Sequence, residues 1–201
     1  MNLKTFAAVL LGTAALLALG AGAASATELC STNTHPCTGT KYGTGTSLKA
    51  QLATGTTATL TTSIGNVVCT SATLAGKTTT AGSEVNTVEG EFTSETFSNC
   101  TLGSTACEVR SSGFPTFSIF ATGGGNASVT VFFFRVWASC GSFINCEFSG
   151  GQWSLALTGG NPAHLTASKA SMAGINGFFC PKEGLFDATY RVTSPAPLFA
   201  V

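Results

Sequence analysis

Charge is what this sequence has least of. Only 9% of its 201 residues are Asp, Glu, Lys or Arg, with nine of each sign, against 44% hydrophobic residues. That scarcity removes the basic footprint of a nucleic-acid binder. The balance leaves little long-range field to steer a charged partner, and it excludes disorder driven by net charge. Histidine is confined to His35 and His164, and Asp187 is the sole aspartate. A Ser-His-acid triad needs a base held by a carboxylate, and no G-x-S-x-G elbow is present. His35 sits beside Pro36 in a short inter-cysteine loop, and His164 follows the turn Asn161-Pro162-Ala163. Both read as turn residues. Zinc needs close C-x2-C pairs or histidines at ligand spacing, and neither occurs. No catalytic, cofactor or metal residue is assigned on these grounds. Beyond residue 26 no window carries a helical apolar stripe, and no stretch is apolar enough for long enough to span a membrane.

Residues 1–26 read as a secretory signal peptide. Lys4 supplies the positive n-region, residues 6–19 an apolar h-region, and Ala24-Ser25-Ala26 the small residues of a cleavage site. The expected product is a secreted, extracellular domain spanning residues 27–201. A lipid anchor would need a cysteine directly after the small-residue box, whereas Thr27-Glu28-Leu29 precedes Cys30.

All eight cysteines lie in that mature part: Cys30, Cys37, Cys69, Cys100, Cys107, Cys140, Cys146 and Cys180. An even count behind a signal peptide reads as a disulfide framework. Two close pairs, Cys30–Cys37 and Cys140–Cys146, are the expected local bridges. The remaining four allow Cys100–Cys107 with Cys69–Cys180, or Cys69–Cys100 with Cys107–Cys180. Loop-closure entropy does not choose, because short and long bridges both stabilise. The second set is preferred, since Cys69 and Cys100 each end an apolar strand pattern.

Strand signals dominate. Residues 57–62 are rich in β-branched threonine, and residues 66–74, 85–97, 114–121, 153–157, 164–172 and 188–193 read as further strands. Residues 128–138 hold Val129, Val131, Phe132, Phe133, Phe134, Val136 and Trp137, apolar on both faces, which predicts a central strand buried on two sides. Glycine-rich turns such as Gly123-Gly124-Gly125-Asn126 and Gly159-Gly160-Asn161-Pro162 separate the runs. Such spacing suits a sandwich or a barrel. The expectation is all-β: a single disulfide-bonded β-sandwich, jelly-roll-like or Greek-key. Its lighter first half would form an edge sheet on a heavier second sheet. A split into two domains near Ser111-Ser112-Gly113 is the alternative. Pro195-Ala196-Pro197 should break the last strand and leave a short tail, residues 198–201, to pair at a sheet edge or stay mobile.

Three glutamates draw attention. In a regular strand over 85–97, Glu89, Glu91 and Glu95 share one face, and Glu89 and Glu91 lie about 7 Å apart. That separation suits a glycosidase acid/base pair or a calcium site. It also suits a solvated strand face, the reading preferred here. The alternating Thr57, Thr59 and Thr61 raise ice binding, but one run is short of the stacked copies needed, so an edge strand is expected. Arg135, inside the phenylalanine-rich run, should have an acidic partner, since an unpaired buried charge is costly; Glu147 is the candidate. Asn99-Cys100-Thr101 and Asn126-Ala127-Ser128 match the glycosylation pattern.

The stretch from Leu60 through Val67-Val68-Cys69 to Lys77, then Phe97-Ser98-Asn99-Cys100 and Cys107-Glu108-Val109, resembles uncharacterised secreted cysteine-containing proteins of actinobacteria. More remotely it resembles the secreted family of protein activators of alkane oxidation, over about residues 47–109. The resemblance implies a small β-rich protein associated with cell surfaces or biofilm matrix, and no catalytic residues come with it. The leading expectation is therefore a secreted, non-enzymatic structural, adhesive or cell-surface protein. It would self-associate through exposed sheet edges such as residues 54–62 or contact an extracellular protein or polysaccharide. The alternative is an extracellular binding module or inhibitor of a secreted protein. A carbohydrate-active enzyme using Glu89 and Glu91 comes third.

Overall fold

A computed structural model describes residues 27–83, 85–113, 115–177 and 179–201; the expected signal peptide lies outside them. The described chain is all-β. Its strands are β1 (Leu29–Cys30), β2 (Lys41–Tyr42), β3 (Ser47–Leu52), β4 (Ala58–Thr62), β5 (Gly65–Thr78), β6 (Val88–Leu102), β7 (Thr105–Ser111), β8 (Thr116–Gly123), β9 (Asn126–Cys140), β10 (Ile144–Thr158), β11 (His164–Asn176), β12 (Glu183–Ser194) and β13 (Phe199–Ala200).

The pairings close a ring. β3 and β4 lie end to end, both between β5 and β12. β7 and β8 lie end to end between β6 and β9. β5 pairs β6, and β9, β10, β11 and β12 follow in order. Every wall pairing is antiparallel and joins successive wall positions, counting β3/β4 and β7/β8 as one position each, until β12 meets β3 and β4 again. The result is an up-and-down barrel of eight wall positions, a size whose interior side chains just fill. This corrects the expected sandwich: no jelly-roll or Greek-key crossover occurs, and the light and heavy halves belong to one wall. Period-2 alternation is the same for either architecture, and closure is a long-range event that alternation does not encode. The Ser111-Ser112-Gly113 segment separates β7 from β8 within one wall position.

The wall is apolar inside and hydroxyl-rich outside. On β12, Gly184, Phe186, Ala188, Tyr190 and Val192 are buried, while the residues between them are not. A membrane-spanning barrel has the opposite arrangement. The long strands keep this polarity only by inserting extra residues. On β9, Val129 and Val131 face inward, then Phe134, Val136, Ala138 and Cys140. The change of parity falls at Phe133, which has φ 60° and is 74% exposed. The run expected to be buried on both faces therefore has one face in the core and Phe133 outside. In the core, Trp153 stacks on Phe186 at 5.5 Å and meets Phe134 at 4.6 Å. Gly150 makes room for it, since a Cβ there would lie 2.2 Å from the indole.

A second sheet, β13-β1-β2, caps one end. Leu29, Cys30, Leu198 and Ala200 are buried, and the Tyr42 hydroxyl donates to the Pro197 carbonyl at 2.9 Å. The tail beyond Pro197 thus pairs at a sheet edge, as one of its two expected fates.

Four disulfides are present: Cys30–Cys37, Cys69–Cys100, Cys107–Cys140 and Cys146–Cys180. The first two agree with expectation, and the expected Cys140–Cys146 and Cys107–Cys180 do not form. The β9–β10 hairpin sets Cys140 opposite Ile144 and Cys146 opposite Ala138, so the two sulfurs are offset along the ladder. Cys140 faces Cys107 on its other side. Cys69 lies opposite Cys100, which lies opposite Cys107, so four cysteines form one row across neighbouring strands.

Candidate functional site

The glutamates on β6 are separated by a defect in that strand. Val88 and Gly90 are buried, and Glu89 and Glu91 point outward. A register shift against β5 follows: Phe92 pairs with Gly76, but Ser94 pairs with Ala75. Thr93 is the extra residue of a β-bulge, which moves the side chains that follow, as far as Phe97, to the other face. Glu95 therefore lies opposite Leu74 with its carboxyl turned inward. This corrects the single face expected for Glu89, Glu91 and Glu95.

The two outer glutamates are engaged on the wall surface. Glu89 accepts hydrogen bonds from the Thr87 and Ser118 hydroxyls, and Glu91 pairs with Lys77 at 3.0 Å. They form wall contacts rather than facing each other across a cleft. Among the described residues no three His, Cys, Asp or Glu side chains converge as a metal site. The Thr57 and Thr59 hydroxyls bond each other at 3.0 Å. β4, expected at an edge, has β5 on one side and β12 on the other. Arg135 does meet Glu147, at 3.8 Å, but the burial is reversed from expectation: the arginine side chain is 54% exposed and the glutamate 12%. His35 lies in the cap loop, and His164 begins β11.

Glu95 occupies a different setting. Its two carboxyl oxygens are buried and have no hydrogen-bond partner among the described residues. It lines an internal cavity of about 30 Å³ together with Phe92, Phe134, Trp153, Phe186 and Tyr190. Burial pushes its carboxyl up to about 7, with the Ser111 hydroxyl offsetting part of the rise. That hydroxyl's own contact is to the Glu95 main-chain carbonyl, at 3.4 Å. The Tyr190 phenol is raised well above its ordinary value, first by burial and then by the Glu95 charge. The two groups therefore sense each other across the interior.

The wall is open beside this carboxyl. β6 pairs with β8 as far as Glu91 and with β7 from Thr96 onward. Between those ladders, Thr93, Ser94 and Glu95 face the break where β7 gives way to β8. A hollow of about 290 Å³ lies there, bounded by Phe92, Thr93, Ser94, Ser111, Gly113 and Pro115 as well as Glu95. Glu95 is common to the outer hollow and the inner cavity. The hollow is concave and lined by hydroxyl-bearing Thr93, Ser94 and Ser111, while the Glu95 carboxyl and the aromatic rings lie behind it, on the inner cavity; a concave surface with a few polar groups is the usual plan of a small-molecule site.

Of this site, sequence reasoning singled out only Glu95, and placed it outside. One signal was available: Phe92 and Phe97 are five residues apart, an odd spacing. Both turn inward, Phe92 against Phe117 and Phe97 against Phe186, which a strand permits only with an extra residue between them. Ser111 stood out only as part of a candidate domain boundary, and Tyr190 carried no local signal.

Fold and site together define an up-and-down barrel with a buried carboxyl behind an opening of its wall. Comparison with family models, curated proteins and solved structures gives no match, so the functional reading rests on the site itself.

Proposed function

We propose that this chain is a secreted, non-enzymatic binding protein that takes a small ligand at the Glu95 opening. The carrying observation is a hollow in the wall lined in part by Glu95, with the buried, unpartnered Glu95 carboxyl turned inward behind it. Leaving such a group unbonded costs about 1–3 kcal/mol, and a ligand that satisfies it recovers that cost on binding. The four disulfides suit an oxidising, extracellular setting. Ring closure weighs against the self-associating matrix component favoured from the sequence, because each wall strand is paired on both sides and only the two-residue strands of the cap sheet present edges.

The test is sedimentation of the oxidised chain from residue 27 over a concentration range, with mass spectrometry under non-denaturing conditions of the protein secreted by its own producer. The expected result is a monomer carrying a small-molecule adduct. Ordered polymers, or a monomer that never carries an adduct, would overturn the reading.

A further inference from the structure

We infer that the barrel interior beneath the cap is a binding site for a small neutral alcohol, whose hydroxyl meets the Glu95 carboxyl while its hydrocarbon body fills the space next to Leu198. The inference deepens the binding reading above and rests on it, and it sets the ligand on the inner side of Glu95. Three features single out this class.

The first is a hydrocarbon chamber. A cavity of about 60 Å³ lies inside the barrel next to the cap, and apolar surface alone lines it, with Leu48, Phe117, Leu157, Val192 and Leu198 among its walls. Leu74, Phe92 and Leu165 line it too, and the same three residues line the Glu95 cavity of about 30 Å³. The two spaces therefore adjoin, one wholly apolar and the other carrying a carboxyl. An apolar cavity stays dry and takes up apolar molecules, and one of about 150 Å³ holds benzene. The smaller spaces here suit a body of about four carbons. The second feature is the carboxyl itself. Both of its oxygens are buried without a hydrogen-bond partner among the described residues. A protonated carboxyl both donates and accepts, whereas an ionised one only accepts. A hydroxyl also donates and accepts, so it pairs with either form. A ketone only accepts, so it pairs with the protonated form alone. The third feature is the poverty of other polar groups. A charged ligand would exchange its hydration for a lining of hydrocarbon and rings, which is costly.

Protonation of Glu95 separates these ligands. The carboxyl ionises near 7. The strands packed around it face it with apolar side chains, apart from Tyr190 on β12, whose phenol is held neutral through this range. Lys49, on β3, is the titratable residue beside the cap-side cavity, and it is exposed. A ketone therefore loses its hydrogen bond as the pH rises from 5 to 8, and an alcohol keeps one.

The experiment is an NMR titration of the oxidised chain from residue 27 with butanol, butanone and pentane, each at pH 5 and pH 8. The expected result is magnetisation transfer from butanol to the side chains of Leu74, Phe92 and Leu165 at both pH values. Butanone should bind at pH 5 and about tenfold more weakly at pH 8, while the affinities of butanol and pentane change by less than about threefold. Glu95→Met should keep pentane binding and weaken butanol at least about tenfold. Leu165→Phe, which fills the wall common to both cavities, should remove all binding. The pH comparison uses the unaltered protein, so the test stays decisive if either variant folds poorly. No transfer to those three side chains, butanone binding equally at both pH values, Glu95→Met retaining full butanol affinity, or Leu165→Phe retaining binding would each overturn the interior alcohol site. A native adduct found without binding of these probes would leave the binding reading standing and remove only this site. Polymers without an adduct would remove both.

Discussion

The two halves of β6 carry the same chemistry to opposite ends. Before Thr93, two glutamates stand on the outer wall, satisfied by hydroxyls and a lysine. After it, a third glutamate is buried among rings with no donor for its oxygens. One inserted residue separates a solvated surface carboxylate from a strained interior one. The comparison teaches that in a long barrel strand the bulge, rather than the residue type, decides whether a charge is scenery or a functional group.

The largest effect should come from removing the bulge. Deleting Thr93 would restore alternation from Val88 to Phe97 and turn Glu95 and Phe97 outward. Phe97 packs, partly buried, against core Phe186 at 6.5 Å, and losing a fully buried phenylalanine costs about 3–5 kcal/mol, an upper bound here. We expect the deletion variant to unfold in mild denaturant or not to accumulate, as read by urea titration. Native-like stability would mean that the bulge does not set the inward face.

Next is the pH dependence of Glu95. Its folded pKa, about 7, lies above the ordinary glutamate value of 4.5. The folded state therefore holds the proton more tightly than the unfolded state, and the unfolded state ionises first as pH rises. Stability is complete below about pH 4.5 and falls until the pH passes about 7. The expected fall is at most about 3 kcal/mol. Glu95→Gln should flatten this slope and be the more stable protein at pH 8. A wild-type stability that rises between pH 5 and 7.5 would contradict the placement of the carboxyl.

Inner and outer neighbours provide a third contrast. At Gly90 a Cβ would lie 2.1 Å from the Phe117 ring, so Gly90→Ala should destabilise by about 1–3 kcal/mol through overpacking. The smallest effect belongs to the adjacent outer residue. Lys77 and Glu91 are 52% and 40% exposed, and Glu91→Gln should change thermal stability by less than about 1 kcal/mol. Equal effects at positions 90 and 91 would mean that the two faces of β6 are not distinguished.

Much of the fold was legible in local pattern. The all-β class follows from alternation and from glycine-rich turns. Cys30–Cys37 is close in sequence, and Cys69–Cys100 joins two strand patterns; both formed. The Arg135–Glu147 pair was readable as a charge needing a partner, though its burial was reversed because Arg135 reaches outward. The cysteines that were misassigned depend on hairpin register. Cys140 and Cys146 look adjacent in the chain, but a turn places Ile144 opposite Cys140, and the next strand brings Cys107 to its other side.

By itself the sequence determined what short-range physics controls: strand propensity, turn positions, the count of sulfurs and the poverty of charge. Tertiary structure alone decided that the sheet closes, which sulfur meets which, and that Glu95 faces an aromatic interior beside a gap between β7 and β8. Closure, register and bulge position are set by contacts between residues far apart in the chain. Alternation has a period of two and is blind to them, because a single extra residue inverts every side chain that follows.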